Sequence, residues 1–405
     1  MDDRERMLAA IAGAPTDALP WTPRMDLWLI AQRARGTLPR ELANANTVDV
    51  ARHFGFGCHA VRADFTVPRG PRSWMLRGFG IENHPDSPYL VEVSGLPVEF
   101  TSDGELYRST IRTPAGDVTS IIEMTDAMRR DGQSIPAVKK RPIESPADLE
   151  AVAQVFEHLE VVPTPGAYAA FRARIGDSGL AVANGPVAAG PIHLVLHDLM
   201  DMEAFMYLYM DDLAALQRFG DRLRPFFEAA LDAVVACDAE VVWWGANYDQ
   251  QVTWPGFFRD EIVPWLREAG DRIRASGKRI LTHADGENRQ LLPFFPDCRI
   301  DVAESVCAAP MVDNTLAELR RGMGDRTVVW GGIPSVALLD DSMSDEQFET
   351  YLDAVFADLG TGERLILGVS DNVPPAANLD RIARITERVA TFGPVRPAGA
   401  AQPPV

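Results

Sequence analysis

KRILTHADG, residues 278–286, is the stretch on which the reading of the fold turns. An apolar pair, Ile280 and Leu281, runs into Thr282 and His283, then Asp285, and turns at Gly286. A short apolar run that ends abruptly in polar side chains and glycine is what a buried parallel strand looks like from its sequence. His283 and Asp285 flank Ala284, so on an extended backbone their side chains share one face. That polar end admits three readings: a pair of metal ligands, an acid/base pair, or the polar terminus of a buried strand.

Seven further runs share the design: LPWTPRMDLW (19–28), HAVRADF (59–65), GLAVANG (179–185), EVVWWGANYD (240–249), IDVAESV (300–306), RTVVWGGIP (326–334) and RLILGVSDN (364–372). Helical patterns lie between them, among them DDLAALQRFGDRLRPFFEAALDAVVAC, PGFFRDEIVPWLREAGDRIRASG and SDEQFETYLDAVFADLG. The last carries an N-cap, Ser344, with Glu346 and Gln347 in its first turn. Eight strand-then-helix units predict a (β/α)₈ TIM barrel, and no G-x-G-x-x-G follows the first strand to favour a dinucleotide fold. Residues 86–146 break the rhythm: apolar and polar residues alternate, with turns at Ser-Gly, Asp-Gly and Ala-Gly-Asp. They predict an antiparallel β insertion between the second and third barrel strands, either a lid or docking surface or a mere excursion. Residues 1–395 are expected to form a single barrel domain including this insertion, and 396–405 a flexible tail.

Composition narrows the function. The formal charge is 39 − 58 = −19 and 46% of the 405 residues are hydrophobic. Such a field repels phosphate backbones and anionic membranes, so neither nucleic acid nor membrane is expected as a partner. Four cysteines, Cys58, Cys237, Cys298 and Cys307, form no CxxC pair, so reduced cytoplasmic thiols are expected. The N-terminus has no apolar signal core, and no run of 18 apolar residues is present.

Barrel chemistry sits at the C-terminal strand ends. The polar residues there are Arg24 and Asp26, Asp64, Asn184, Asn247 with Tyr248 and Asp249, His283 with Asp285, Glu304 with Cys307, and Ser370 with Asp371. His283, Asp285 and Glu304, on adjacent strands, are the expected catalytic set. Together they form either a divalent-metal site, zinc first, or a metal-free acid site in which one carboxyl is raised by its like-charged neighbour. Asp371 is expected to assist as a further metal ligand. Asn247, Tyr248, Asp249, Arg24, Asp26 and the aromatic Trp244 are expected to contact substrate.

In their order along the chain, PWTPRMDLWLIAQRARGTLPREL, RSTIRTPAGDVTS, the His-x-Asp-Gly motif, VVWGGIP and GVSDNVPPAANLDRI resemble the uroporphyrinogen decarboxylase superfamily, and within it the corrinoid-dependent methyltransferases. The resemblance covers nearly the whole chain and itself implies a TIM barrel. The arginines with which the decarboxylases hold substrate carboxylates fall here on Gln32 and Gly36, with Arg33 and Arg35 one residue out of register. The family's histidine near the last strand has no counterpart in GVSDNVPP. The zinc methyltransferases use a His-x-Cys pair and a later Cys. By position His283 is kept, Asp285 stands in for the first Cys, Glu304 matches a ligand glutamate, and Ser370 or Asp371 replaces the second Cys. An oxygen-rich set suits a thiol acceptor badly. The resemblance therefore implies an O-demethylase component, moving a methyl group from a small methoxylated substrate, aromatic methyl ethers included, to a separate corrinoid (cobalamin) protein, with a homodimer allowed. Two rivals remain: a metal-free decarboxylase or lyase acting on another acid, and a non-catalytic small-molecule-binding barrel.

Overall fold

Two kinds of β-structure succeed one another along the chain in the computed structural model, which describes residues 1–61 and 70–396. The first is antiparallel: β1 (Tyr89–Val93), β2 (Val98–Ser102), β3 (Leu106–Thr113), β4 (Gly116–Glu123), β5 (Ala137–Lys140) and β6 (Leu159–Pro163). Strands β2-β3-β4-β5 form one sheet, and β1 pairs with β6 in a two-stranded ribbon. The expected β insertion is therefore present. Its partner β6 lies beyond the expected limit, because the alternating pattern resumes only after the helix Leu149–Glu157.

The second is a parallel sheet of β7 (Ala183–Asn184), β8 (Val241–Ala246), β9 (Arg279–His283), β10 (Val302–Val306), β11 (Val328–Pro334) and β12 (Leu365–Ser370), neighbours in that order. Two N-terminal segments complete the ring. Leu367 and Thr22 exchange backbone hydrogen bonds with Pro20 and Leu367, Gly57 donates to Trp21, Cys58 donates to Ser178, and Val182 donates to Ala60. Backbone bonds thus connect eight segments in a TIM barrel, as the sequence predicts.

Two strand limits are corrected. The segment expected at 19–28 is cut short because Asp26 opens the helix Asp26–Arg35. Gly179–Gly185 keeps only a two-residue ladder, and most of 59–65, with Asp64, lies outside the described residues.

Alternation along each strand sorts the core into two layers. Val182, Val241, Trp243, Leu281, Val302, Val328, Trp330 and Ile366 fill the barrel interior, sealed below by Met7, Ala10 and Ile11 of the N-terminal helix Asp3–Ala12. Val242, Trp244, Ile280, Ala303, Val329 and Leu367 face the surrounding helices. The interior set leaves His283 and Glu304, two residues above Leu281 and Val302, at the mouth. The capping box on Ser344 and Gln347 forms as expected and opens the helix Asp345–Asp358. Among the described residues no helix is long and apolar enough to cross a membrane.

Candidate active site

Parallel register sets His283 of β9 directly beside Glu304 of β10. The His283 ring donates Nδ1–H to Glu304 Oε2 at 2.5 Å, and His59 donates Nε2–H to the other oxygen, Oε1, at 3.0 Å. The three side chains are 7%, 3% and 4% exposed, so this is a buried chain of one carboxylate between two imidazoles. Burial alone would strip the proton from His283, but the Glu304 charge, then that of Asp285, overcomes it and holds the ring at about 10. Burial likewise opposes the Glu304 charge, and His283 and His59 reverse that, holding the carboxyl well below its usual range. At neutral pH the pair is imidazolium and carboxylate.

The second ring nitrogen faces outward. Nε2 of His283 lies 3.6 Å from Asp285 Oδ1 and 3.9 Å from Asp371 Oδ1, beyond hydrogen-bond reach of either. Asp371 is fixed from behind: its backbone N–H donates to Ser305 Oγ at 2.7 Å, and Arg24 Nη1 meets its Oδ1 at 3.0 Å. Arg24 also grips Asp26 with two nitrogens, at 3.0 and 3.1 Å. Asn247, Ser305 and Asp371 all hold left-handed backbone (φ 63°, 62° and 56°), a strained conformation concentrated at this rim.

The opposite wall comes from a π-helical turn, Val195–Leu199, of the kind that often marks a functional site. His197 donates Nδ1–H to Asp198 at 2.8 Å and accepts at Nε2 from Asn247 Nδ2 at 2.6 Å. Asp198 also faces Arg77 Nη1 at 3.7 Å, while Arg77 Nη2 meets Glu82 at 3.2 Å. Burial opposes the Asp198 charge, but His197, Arg77 and Arg141 outweigh it and lower its carboxyl. Left-handed Gly80 (φ 75°) lets the chain pass this wall, since a Cβ there would stand 2.7 Å from Asp198 Oδ2.

Between these walls lies a cavity of about 280 Å³, roofed by Ile122, Ser134, Ile135, Pro136 and Val138 of the insertion. At about 30 Å³ per water it has room for about nine waters, the size of a one-ring organic molecule. Among the described residues, Asp285 Oδ1, Asn372 Oδ1 and Arg77 Nε of the lining side chains are buried without a hydrogen-bond partner. Orphaned buried polar atoms cost free energy, so this rim carries a local energetic cost.

The expected site residues separate into two groups. His283, Asp285, Asp371, Asn247 and Arg24 line the cavity, with Glu304 directly behind His283. Four others do not. Trp244 points outward on β8, packs against Phe227 and donates its indole N–H to the Ala189 carbonyl. Tyr248 is fully buried, its hydroxyl bonded to Thr282. Asp249 is spent on the backbone N–H groups of Gln251 and Glu287, and Asp26 on Arg24.

The expected metal set is not brought together: both Glu304 oxygens are bonded to histidines. Among the described residues no three His, Cys, Asp or Glu side chains are arranged to hold a metal ion. The donors of this site therefore do not fit zinc. Sequence reading missed His59, Arg77, Glu82, Arg141, His197 and Asp198. His59 opens a predicted strand and could have been found, whereas the others lie in segments without strand-end patterning.

The uroporphyrinogen decarboxylase (URO-D) family model matches residues 107–392. The chain belongs to the uroporphyrinogen decarboxylase family. Among solved structures, a methyltransferase from Methanosarcina mazei is similar at TM-score 0.55 and 16% identity, covering 97% of this chain and 99% of that one. At that identity the likeness concerns the fold. No curated protein matches the chain. Among the described residues of this URO-D family member, the cavity's charges balance, with Arg24, Arg77, Arg141 and protonated His283 facing Glu82, Asp198, Asp285 and Asp371. A balanced lining does not suit a polyanionic substrate.

Proposed function

We propose that the protein is a methyltransferase that removes a methyl group from a small methoxylated substrate and passes it to a corrinoid held by a separate protein. The observation that carries this reading is the protonated His283, whose Nε2–H faces a one-ring cavity while Glu304 and His59 fix the ring from behind. The similar fold of the Methanosarcina mazei methyltransferase supports it.

Cleaving an O–CH₃ bond by attack on the methyl carbon leaves an oxygen that takes the bonding pair and needs a proton. A reduced corrinoid would supply the nucleophile. This chain's part is to orient the ether and deliver the proton. His283 donates Nε2–H to the departing oxygen, and Glu304 holds the ring's orientation throughout. Asp285, with its Oδ1 3.6 Å from Nε2, adds to the negative charge that keeps the ring protonated. A histidine held protonated by its carboxylate neighbours can supply a proton to a basic leaving oxygen such as a phenolate.

One observation favours a second reading: the unpartnered Arg77 Nε could bind a carboxylate, as decarboxylation of a small acid requires. Incubating the protein with ¹³C-methoxy-labelled anisoles, or with methoxybenzoates, and free cob(I)alamin separates the two. Methyl-cobalamin formed without CO₂ release supports demethylation. CO₂ release from an acid with no methyl transfer assigns the second reading.

A further inference from the structure

Asn247 follows the last residue of β8, beside the end of β9, and its backbone N–H donates to the His283 carbonyl at 3.0 Å. Its left-handed backbone (φ 63°) is one that asparagine accepts more readily than most residues. An amide there can present either its oxygen or its NH₂ to the cavity. The wall behind it decides which. Arg141 holds the π-helical turn in place, donating from Nη1 to the carbonyls of His197 and Asp198 at 3.2 and 2.7 Å. The Asp198 carboxylate can only accept, so the hydrogen bond at 2.8 Å puts the proton of the His197 ring on Nδ1. In the neutral ring Nε2 then carries a lone pair and can only accept. The Asn247 atom 2.6 Å from it is therefore the amide nitrogen, and Oδ1 is left over. Asn247 is half-buried and lines the cavity. Its Oδ1 has no hydrogen-bond partner among the described residues and, unlike Asp285 Oδ1, is not enclosed.

We propose that Asn247 determines specificity: its Oδ1 accepts a hydrogen bond from a hydroxyl group of the substrate, and His197 and Asp198 are positioning residues that hold the amide in that orientation. The inference rests on the methyl-ether reading of this cavity and narrows it to aryl methyl ethers that also carry a hydroxyl. His283 Nε2–H serves the ether oxygen, and Asn247, at the neighbouring strand end, serves the hydroxyl. A site built to pair a substrate hydroxyl rejects the analogue that lacks one, because the protein's own polar group is then left unpaired.

Calorimetric titration of the full chain, with no corrinoid present, tests this by binding alone. The ligands are 2- and 3-methoxyphenol and the matching methoxytoluenes, in which a methyl group replaces the hydroxyl. For at least one isomer the phenol-to-toluene affinity ratio should be about fivefold higher in the wild type than in Asn247→Gly, the worth of one net hydrogen bond. Glycine adopts the left-handed backbone at this position freely. Asn247→Asp keeps an acceptor and should keep the wild-type ratio. Asp198→Asn lets His197 carry its proton on Nε2 and should bring the ratio down to the Asn247→Gly value, whereas mere loosening of the wall would weaken both ligands alike. A ratio unchanged in Asn247→Gly would assign the hydroxyl to another acceptor and overturn the proposal while leaving the methyl-ether reading intact. A ratio unchanged in Asp198→Asn would overturn the positioning role. If the wild type bound none of the four ethers, the methyl-ether reading would fall and the proposal with it.

Discussion

Replacing Glu304 by glutamine keeps the side chain's shape and removes the charge on which His283 depends. The wild-type ring is held at about 10 against an ordinary 6.5, which at 1.36 kcal/mol per pH unit amounts to about 5 kcal/mol in favour of the charged form. Breaking a buried ion pair by removing one partner costs about 3–5 kcal/mol, the same magnitude by an independent route. Glu304→Gln should therefore lower the His283 pKa markedly, because burial still opposes the charge and only Asp285 is left to support it. The assay is a ¹⁵N-imidazole NMR titration, assigned among only seven histidines with His283→Gln. Wild-type His283 should stay protonated to about pH 10, and in Glu304→Gln it should titrate well below that. A wild-type ring that titrates near 6.5, or one that Glu304→Gln leaves unmoved, would refute the buried-pair account.

The same pair sets a pH dependence of stability. His283 is raised, so its contribution is full below 6.5 and fades as pH climbs toward 10; Glu304 is lowered, so its contribution is full above 4.5 and is lost in acid. Urea midpoints should accordingly be highest between about pH 4.5 and 6.5 and fall on both sides, and Glu304→Gln should flatten the profile. Tyr248→Phe should cost about 1 kcal/mol in urea denaturation and leave substrate KM unchanged, because its hydroxyl serves Thr282 and not the cavity. A KM change would return Tyr248 to the site. Thr22→Val removes the acceptor of the buried Trp330 indole N–H at 2.8 Å and should cost about 1–3 kcal/mol; a neutral effect would argue against that bond. Asp198→Asn loosens both His197 and Arg77 and should raise KM more than it lowers kcat, whereas an unchanged KM would detach that wall from substrate binding.

Much of the barrel was legible because its strands carry their own punctuation. Val241–Ala246, Arg279–His283, Val302–Val306, Val328–Pro334 and Leu365–Ser370 all fall within predicted runs, since a strand buried on both faces reads as a continuous apolar stretch ending in polar residues. The first segment was over-extended because MDLW is as apolar as a strand, yet Asp26 starts a helix there. At the site, strand parity put His283 and Glu304 at the mouth, but sequence spacing does not report which way a carboxylate turns. Glu304 turns toward His59, a long-range contact 245 residues away, and that one hydrogen bond converts an expected metal ligand into a charge partner. Trp244 and Tyr248 failed for a related reason: near a strand end either face is accessible to an aromatic ring, and here the helix layer claimed both.

The role of His283 as proton donor is tested most directly by the rate at which methyl-cobalamin forms from an aryl methyl ether and free cob(I)alamin. Wild-type protein should form it, and His283→Gln should slow it by about 10²- to 10⁴-fold, the usual worth of a positioned acid. The loss should be smaller for ethers whose leaving phenol is more acidic, since they need the proton less. Transfer at an undiminished rate in His283→Gln, or no transfer by the wild type from any methoxylated donor, would contradict the account.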